Sequence, residues 1–251
     1  MFKRLYLHIP FCLSKCGYCA FNSRELLDTD LNDYVALLLE EMRLVSLTSA
    51  PDRQLESIYF GGGTPSLLSA GQLALLIAQA EELFGLNPDC EITLEANPGT
   101  VDQARLAAFR NTGINRLSLG VQSFDDNFLD RLERIHTADQ ARQAFSDARK
   151  AGFTNIGIDL MYSLPVQDIA QWQTDLEKAV QLAPEHFSIY GLTVEDGTPF
   201  SLRYPDGSPE RADDDLSADM FEMADDLLTA NNYEHYEIAN YARPGFRSRH
   251  N

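Results

Sequence analysis

The sequence predicts an α/β fold in which parallel strands alternate with helices. Short runs rich in β-branched and aromatic residues recur along the 251 residues, and an amphipathic helical pattern follows each of them. Six such strand–helix units follow one another, and no low-complexity linker interrupts them. Units repeated on this scale suit either an open doubly wound sheet or a barrel of the TIM kind, complete or partial.

The predicted elements follow in chain order. The strand candidates are residues 4–9, 56–60, 91–96, 116–121, 155–161 and 186–192. The helical patterns cover residues 29–48, 69–84, 101–111, 137–151, 168–182 and 212–230. The Pro-, Gly- and Asp-rich stretch 195–210 predicts a long loop. We expect residues 1–232 to form this α/β domain and residues 233–251 to begin a second, C-terminal domain that the sequence truncates.

Composition argues against some classes of protein. The formal net charge of −18 argues against nucleic acid or anionic lipid as a partner, because phosphate binding needs a basic face. No run reaches the roughly 18 to 20 apolar residues that span a bilayer, and the start MFKRLYLHIPF does not resemble a secretory signal. We therefore expect a cytoplasmic protein that is not an integral membrane protein. In that reducing compartment, clustered cysteines bind metal or do chemistry more often than they form disulfides.

Three of the four cysteines fall in the segment CLSKCGYCAF (residues 12–21), with the spacing C-x3-C-x2-C. Structural zinc usually takes four ligands in two separated pairs, and a disulfide would leave one thiol over. Cys90 would lie about a strand length away, so we expect it to be a small buried residue. Three thiolates suit an iron–sulfur cluster with one iron open to an outside ligand, which we favour over zinc.

Polar or glycine-rich segments follow the carboxyl end of each predicted strand. In parallel α/β folds these ends meet at one face, where reactive groups gather. After the first strand, which leads into the cysteine segment, they are Gly61-Gly62-Gly63-Thr64-Pro65, Glu95-Ala96-Asn97-Pro98, Gln122-Ser123, Asp159, and Thr193 with Glu195. Adjacent glycines let a ligand approach the backbone closely. Asp159 stands in an apolar run, and we expect it to face a polar ligand because charges are rarely buried unpaired.

Together these motifs resemble the radical S-adenosylmethionine (SAM) superfamily, and the wider pattern resembles its oxygen-independent coproporphyrinogen III oxidase family. The resemblance runs nearly end to end through LYLHIPFC, KCGYCAF, YFGGGTPS, LEANP, SLGVQSF, IDLMYSLP and HYEIANYARPGFRSRHN. It implies a partial TIM-type barrel of six β/α units, with parallel strands inside and helices outside.

Two features favour the haem-chaperone branch of that family over its coproporphyrinogen III dehydrogenases. The dehydrogenases carry a further cysteine where this chain has Phe21, and an extension ahead of the first strand, where this chain has only a few residues. The H-N-x-x-Y-W motif of the chaperone branch begins here as His250-Asn251, where the sequence stops. The resemblance implies haem as a ligand, held less well by a truncated chain, and haem-acceptor proteins as partners; it leaves a homodimer possible. The alternative is anaerobic decarboxylation of coproporphyrinogen III, so whether the chain is an enzyme stays open.

The resemblance also implies roles around the cluster. Cys12, Cys16 and Cys19 would ligate a 4Fe–4S cluster whose open iron meets SAM. Tyr6 would pack beside both the SAM and the cluster, and Tyr18 would do the same next to the third ligand.

Seven further residues would contact SAM, and no catalytic residue is implied. They are Gly62, Gly63, Thr64, Glu95, Gln122, Arg134 and Asp159. The glycines and Thr64 would present backbone groups to the methionyl part or the adenine. Glu95 and Arg134 would meet the amino and carboxylate groups, and Gln122 and Asp159 would hydrogen-bond the ribose.

Overall fold

The computed structural model describes residues 2–27, 31–48 and 54–251. Its strands are β1 (Arg4–Ile9), β2 (Phe11–Cys12), β3 (Arg24–Glu25), β4 (Leu55–Gly62), β5 (Leu86–Ala96), β6 (Arg116–Gln122), β7 (Ile156–Tyr162), β8 (His186–Gly191), β9 (Glu234–Glu237) and β10 (Asn240–Ala242). Its helices are α1 (Leu31–Thr48), α2 (Ala70–Phe84), α3 (Gln103–Asn111), α4 (Asp126–Arg131), α5 (Ala138–Lys150), α6 (Ile169–Gln181), α7 (Pro199–Arg203) and α8 (Asp214–Ala230). Single 3-10 turns occupy Pro65–Leu67 and Pro98–Thr100.

Eight of the strands form one curled sheet in the order β1-β4-β5-β6-β7-β8-β10-β9. All neighbours from β1 to β8 are parallel, and they follow one another in chain order. This arrangement confirms the predicted partial barrel of six β/α units. The strands β10 and β9 extend the same sheet with antiparallel pairing. A domain boundary near residue 232 stays a prediction.

The parallel strands separate an apolar layer from a polar one because their side chains alternate between the two faces. In β6, Leu117 and Leu119 are fully buried in the hydrophobic core. Ser118 and Gly120 alternate with them and line a cavity on the concave side. The core therefore lies between the sheet and the helices, and the polar side chains of the concave face are available to bind a ligand.

Side-chain caps fix where the predicted helices begin. A reciprocal capping box starts α2 at Ser69 with Gln72, and the same arrangement starts α5 at Thr137 and α6 at Asp168. Caps of this kind stabilise a helix by about 0.5–2 kcal/mol each. The observed starts agree with the predicted ones within two residues, except that the predicted start of α1 at residue 29 lies outside the described residues.

The prediction of an unbroken loop over residues 195–210 was wrong, because it contains the short helix α7. Thr198 caps this helix by accepting a hydrogen bond from the backbone N–H of Ser201, and Pro199 occupies its first turn. Proline suits that position because the N–H it lacks would have no helical partner there. A five-residue helix is too short for apolar periodicity to reveal it.

The last residues of the chain contact the amino-terminal halves of three strands. Arg249 donates its backbone N–H to Glu91 in β5, and Arg4 in β1 donates to the carbonyl oxygen of His250. The ring of His250 lies 3.0 Å from the hydroxyl of Ser57 in β4. Within the described ranges, no helix is both long enough and apolar enough to cross a membrane.

Candidate functional site

A cavity of about 580 Å³ opens at the carboxyl ends of the parallel strands. Eleven of the twelve residues to which the resemblance assigns a role around the cofactors line it. They are Cys12, Cys16, Tyr18, Cys19, Gly62, Gly63, Thr64, Glu95, Gln122, Arg134 and Asp159. The remaining one, Tyr6, does not line it. The cavity is large enough for a nucleoside-sized ligand, since such sites usually measure about 300–1,000 Å³.

The three cysteines lie on one loop that is closed at its base. The two-residue strands β2 and β3 pair there, and the N–H of Leu26 donates to the carbonyl oxygen of Cys12. Inside the loop, Lys15 Nζ donates to the carbonyl oxygens of Phe21 and Ser23 at 3.2 and 2.9 Å. All three thiols are free. The loop is thus tied at both its base and its middle, while its sulfurs remain available as ligands.

The glycine segment runs directly against this loop. Gly63 donates its N–H to Ile9, and Thr64 donates to Phe11, both at carbonyl oxygens. A Cβ atom on Gly63 would lie 2.7 Å from the oxygen of Phe11 and 2.9 Å from the sulfur of Cys12. There is therefore no room for a side chain at residue 63, and only glycine fits there. Burial raises the pKa of the Cys12 thiol, and hydrogen bonds from Thr64 and Ser23 oppose that rise.

Arg134 reaches the cysteine loop from the segment after α4. Its Nη1 lies 3.6 Å from the sulfur of Cys16, and its Nη2 donates to the carbonyl oxygen of Gly120 at 2.8 Å. The sequence alone suits a residue on a helix surface, so its place beside Cys16 depends on tertiary structure. Its guanidinium is well placed to attract a negatively charged group in the cavity.

Helix α7 holds the middle of the cysteine loop in place. Phe200 donates its N–H to the carbonyl oxygen of Gly17 at 3.0 Å, and its ring packs edge-on against Tyr18 at 5.9 Å. Burial raises the pKa of Tyr18, so its hydroxyl stays protonated. No sequence pattern indicates Phe200, because a contact between residues so far apart in the chain leaves no local pattern.

Glu95 is held at both of its carboxylate oxygens. The hydroxyl of Tyr59 donates to Oε1 at 2.8 Å, and the N–H of Gly62 donates to Oε2 at 3.1 Å. Burial raises the pKa of Glu95 to about 7, although the Tyr59 hydrogen bond acts in the opposite direction. Such a carboxylate is ready to ionise when a cation enters the cavity.

Asp159 and Gln122 occupy the next two strands around the cavity. Ser118 donates its hydroxyl to Asp159 Oδ1 at 3.0 Å, while burial raises the pKa of that carboxyl group. Gln122 adopts a φ of 68° at a register shift between β6 and β7. Left-handed backbone is uncommon outside glycine, and such strain clusters at functional sites. The irregularity lets Gln122 line the cavity.

Tyr6 does not line the cavity. Its ring stacks on Tyr59 with 5.9 Å between centroids, and the residue is 47% exposed. A role for Tyr6 beside the cofactors stays a prediction.

Two further residues line the cavity that the sequence indicates only weakly as site residues. Ser118, in β6, and Tyr190, in β8, line it beside the predicted set. Both are polar or amphipathic positions that alternate with apolar ones inside a strand, which is the pattern that would have indicated them.

The donor set fits an iron–sulfur cluster. Three free thiols face a cavity that also offers a guanidinium, three carboxyl groups and close backbone. In the described part of the chain, no three His, Cys, Asp or Glu side chains lie close enough to hold a single metal ion. Thiolates that bind three different irons of one cluster need not converge on one atom. Cys90 is buried in the core, as predicted, and does not line the cavity.

Fold and site together define a radical SAM protein. The model of the Radical SAM superfamily matches residues 6–179, and the chain belongs to that superfamily. A 4Fe–4S cluster and SAM are the cofactors that the family implies.

Two curated relatives and one solved structure show which radical SAM proteins this chain is similar to. The chain is 42% identical to proteins named "Heme chaperone HemW" from Haemophilus influenzae and from Escherichia coli K12. In both comparisons the match covers 98% of this chain and 64% of the relative. A solved structure of the E. coli coproporphyrinogen III oxidase HemN, described as a radical SAM enzyme, superposes with a TM-score of 0.84 at 28% identity. That match covers 96% of this chain and 55% of the other.

Proposed function

We propose that the chain is the radical SAM part of a haem chaperone. It binds a 4Fe–4S cluster through Cys12, Cys16 and Cys19, and it binds SAM in the adjoining cavity. The observation that carries this proposal is that the three free thiols and the glycine segment line the same cavity as Glu95 and Asp159.

The polar groups of the cavity suit the different parts of SAM. Arg134, beside the sulfur of Cys16, attracts the carboxylate of the amino acid part. Glu95 takes the amino group, and Gly62, Gly63 and Thr64 present backbone atoms to the methionyl part or the adenine.

The ribose hydroxyls bind to the side of the cavity that β6 and β7 form. Gln122 and Asp159 donate to or accept from them, and Ser118 keeps the Asp159 carboxyl group in position. Tyr6 and Tyr18 provide aromatic packing near the two cofactors.

When bound and reduced, the cluster supplies one electron that can break the bond between the sulfur and the 5′ carbon of SAM. The part of the protein is to hold SAM, set its orientation and exclude water. The closed cysteine loop and the close contact at Gly63 serve that purpose.

The proposal that haem is carried and passed to acceptor proteins rests on the names of the relatives. We also propose a cytoplasmic location, since free cluster thiols suit a reducing compartment. Anaerobic decarboxylation of coproporphyrinogen III is the second candidate, favoured by the structural likeness to HemN. Phe21, which is largely exposed at the edge of the cavity, stands against it, because the dehydrogenases carry a cysteine at that position.

Anaerobic reconstitution tests these assignments. We expect four irons and four sulfides per chain, binding of SAM, and weak binding of haem with a characteristic absorption spectrum. Cys16→Ala should lose the iron, whereas Cys90→Ala should keep it. Turnover of coproporphyrinogen III would favour the second candidate, and a chain that holds zinc but no sulfide would overturn both.

A further inference from the structure

Tyr59 contacts both Glu95, which lines the cavity, and His250, near the end of the chain. It lies in β4, between Ser57 and the glycine segment, and its hydroxyl donates to Glu95 Oε1 at 2.8 Å. The other oxygen of Glu95 accepts the N–H of Gly62 at 3.1 Å. The direction in which Glu95 points is therefore set by one side chain and one backbone group.

The ring of Tyr59 is itself held from two sides. Tyr6 stacks on it with 5.9 Å between centroids and 20° between planes. The ring of His250 lies 4.9 Å from it, and Nδ1 of that histidine is within hydrogen-bond distance of Ser57 Oγ. Burial and the charge of Glu95 raise the pKa of Tyr59 well above its ordinary value, so the hydroxyl remains a donor.

We infer that Tyr59 is a positioning residue for the ligand of this cavity: its hydrogen bond fixes the orientation of Glu95 and favours the ionised form of that carboxyl group. The inference rests on the proposed function, in which Glu95 receives the amino group of SAM. Through the contact with His250, Tyr59 also links the last residues of the chain to the cavity.

The charge on Glu95 depends on groups from five strands. The titratable or charged side chains that face it are Tyr6, Tyr59, Arg116, Asp159 and Tyr190. Burial raises its pKa, Asp159 raises it further, and the bonds from Tyr59 and Gly62 together with Arg116 lower it. Since its pKa is about 7, loss of one donor shifts much of the Glu95 population to the neutral form at neutral pH.

The test is equilibrium binding of SAM to the reconstituted protein, measured between pH 6.5 and 8.5. Tyr59→Phe removes the hydroxyl and keeps the ring. We expect it to weaken SAM binding about tenfold at pH 7, because hydrogen bonds to charged groups are among the stronger ones. Affinity should recover towards wild type at pH 8.5, where Glu95 ionises without the help of Tyr59.

Tyr233→Phe is the matched control. Its buried hydroxyl also donates at 2.8 Å, but to the carbonyl oxygen of Pro184 outside the cavity. It should lose comparable stability and keep the affinity and pH profile of the wild type.

A double-mutant comparison separates positioning from general destabilisation. In a Glu95→Gln background, Tyr59→Phe should have no further effect on SAM binding. The inference is overturned if Tyr59→Phe binds SAM within twofold of wild type at every pH, or weakens binding equally with and without Glu95. Failure of the wild-type protein to bind SAM would instead overturn the proposed function.

Discussion

A side chain at residue 63 would enter space that belongs to the cysteine loop. The obstacles to a Cβ atom there are a backbone oxygen and the sulfur of Cys12. A backbone oxygen cannot move aside without displacing the loop, whereas the end of a flexible side chain could. The glycine segment alone predicts a turn. Its specific requirement for glycine follows only from the neighbouring loop.

We expect Gly63→Ala to displace Cys12 and to reduce iron bound after reconstitution by at least half. Gly71→Ala is the matched control, because the nearest atom to its Cβ is 3.9 Å away and it lies within α2. Alanine there meets no obstacle and should leave iron binding unchanged. Full iron loading by Gly63→Ala would contradict this account of the contact.

Among the buried histidines, His186 shows how one residue makes stability depend on pH. It is 1% exposed, and burial followed by the charge of Arg116 lowers its pKa to about 2. The unfolded state binds a proton below about pH 6.5, and the folded state does not. Stability is therefore fully present above that pH and is lost as pH falls below it.

His186→Phe should flatten this dependence. Between pH 6.5 and 5.5 the wild-type histidine removes about 1 kcal/mol from the free energy of unfolding, and the variant lacks that loss. Urea unfolding at the two pH values measures the difference. An equal loss in variant and wild type would mean that His186 is protonated in the folded state.

At the scale of elements, α7 shows where sequence patterns stop being informative. The six long helices carry apolar positions on one face, and the five whose starts are described, α2, α3, α5, α6 and α8, have caps there, so their bounds could be predicted closely. Helices α4 and α7 have six and five residues, too few to show periodicity. Yet α7 carries Phe200, which is fully buried and contacts the cysteine loop at Gly17 and Tyr18.

We expect Phe200→Leu to cost about 1 kcal/mol of stability and to speed the loss of iron to a chelator. Leu202→Ala, in the same helix but 88% exposed, should change neither. If both variants lose iron at the wild-type rate, α7 does not stabilise the cysteine loop.

At the scale of the whole molecule, topology explains why so much of the site could be predicted. Parallel strands in chain order bring their carboxyl ends to one face, so Glu95, Gln122 and Asp159 had to converge once the strands were placed. Contacts between residues that are far apart in the sequence could not be predicted from local patterns. Arg134 contacts Cys16, and His250 contacts Tyr59, across 118 and 191 residues of chain, a separation at which no local pattern indicates a contact.

The central claim is that a cluster with one open iron faces a SAM cavity. The most direct measurement is the electron paramagnetic resonance spectrum of the reconstituted, reduced protein during titration with SAM. The account predicts a 4Fe–4S signal that shifts until one SAM is bound per cluster. A signal that saturating SAM leaves unchanged would contradict it.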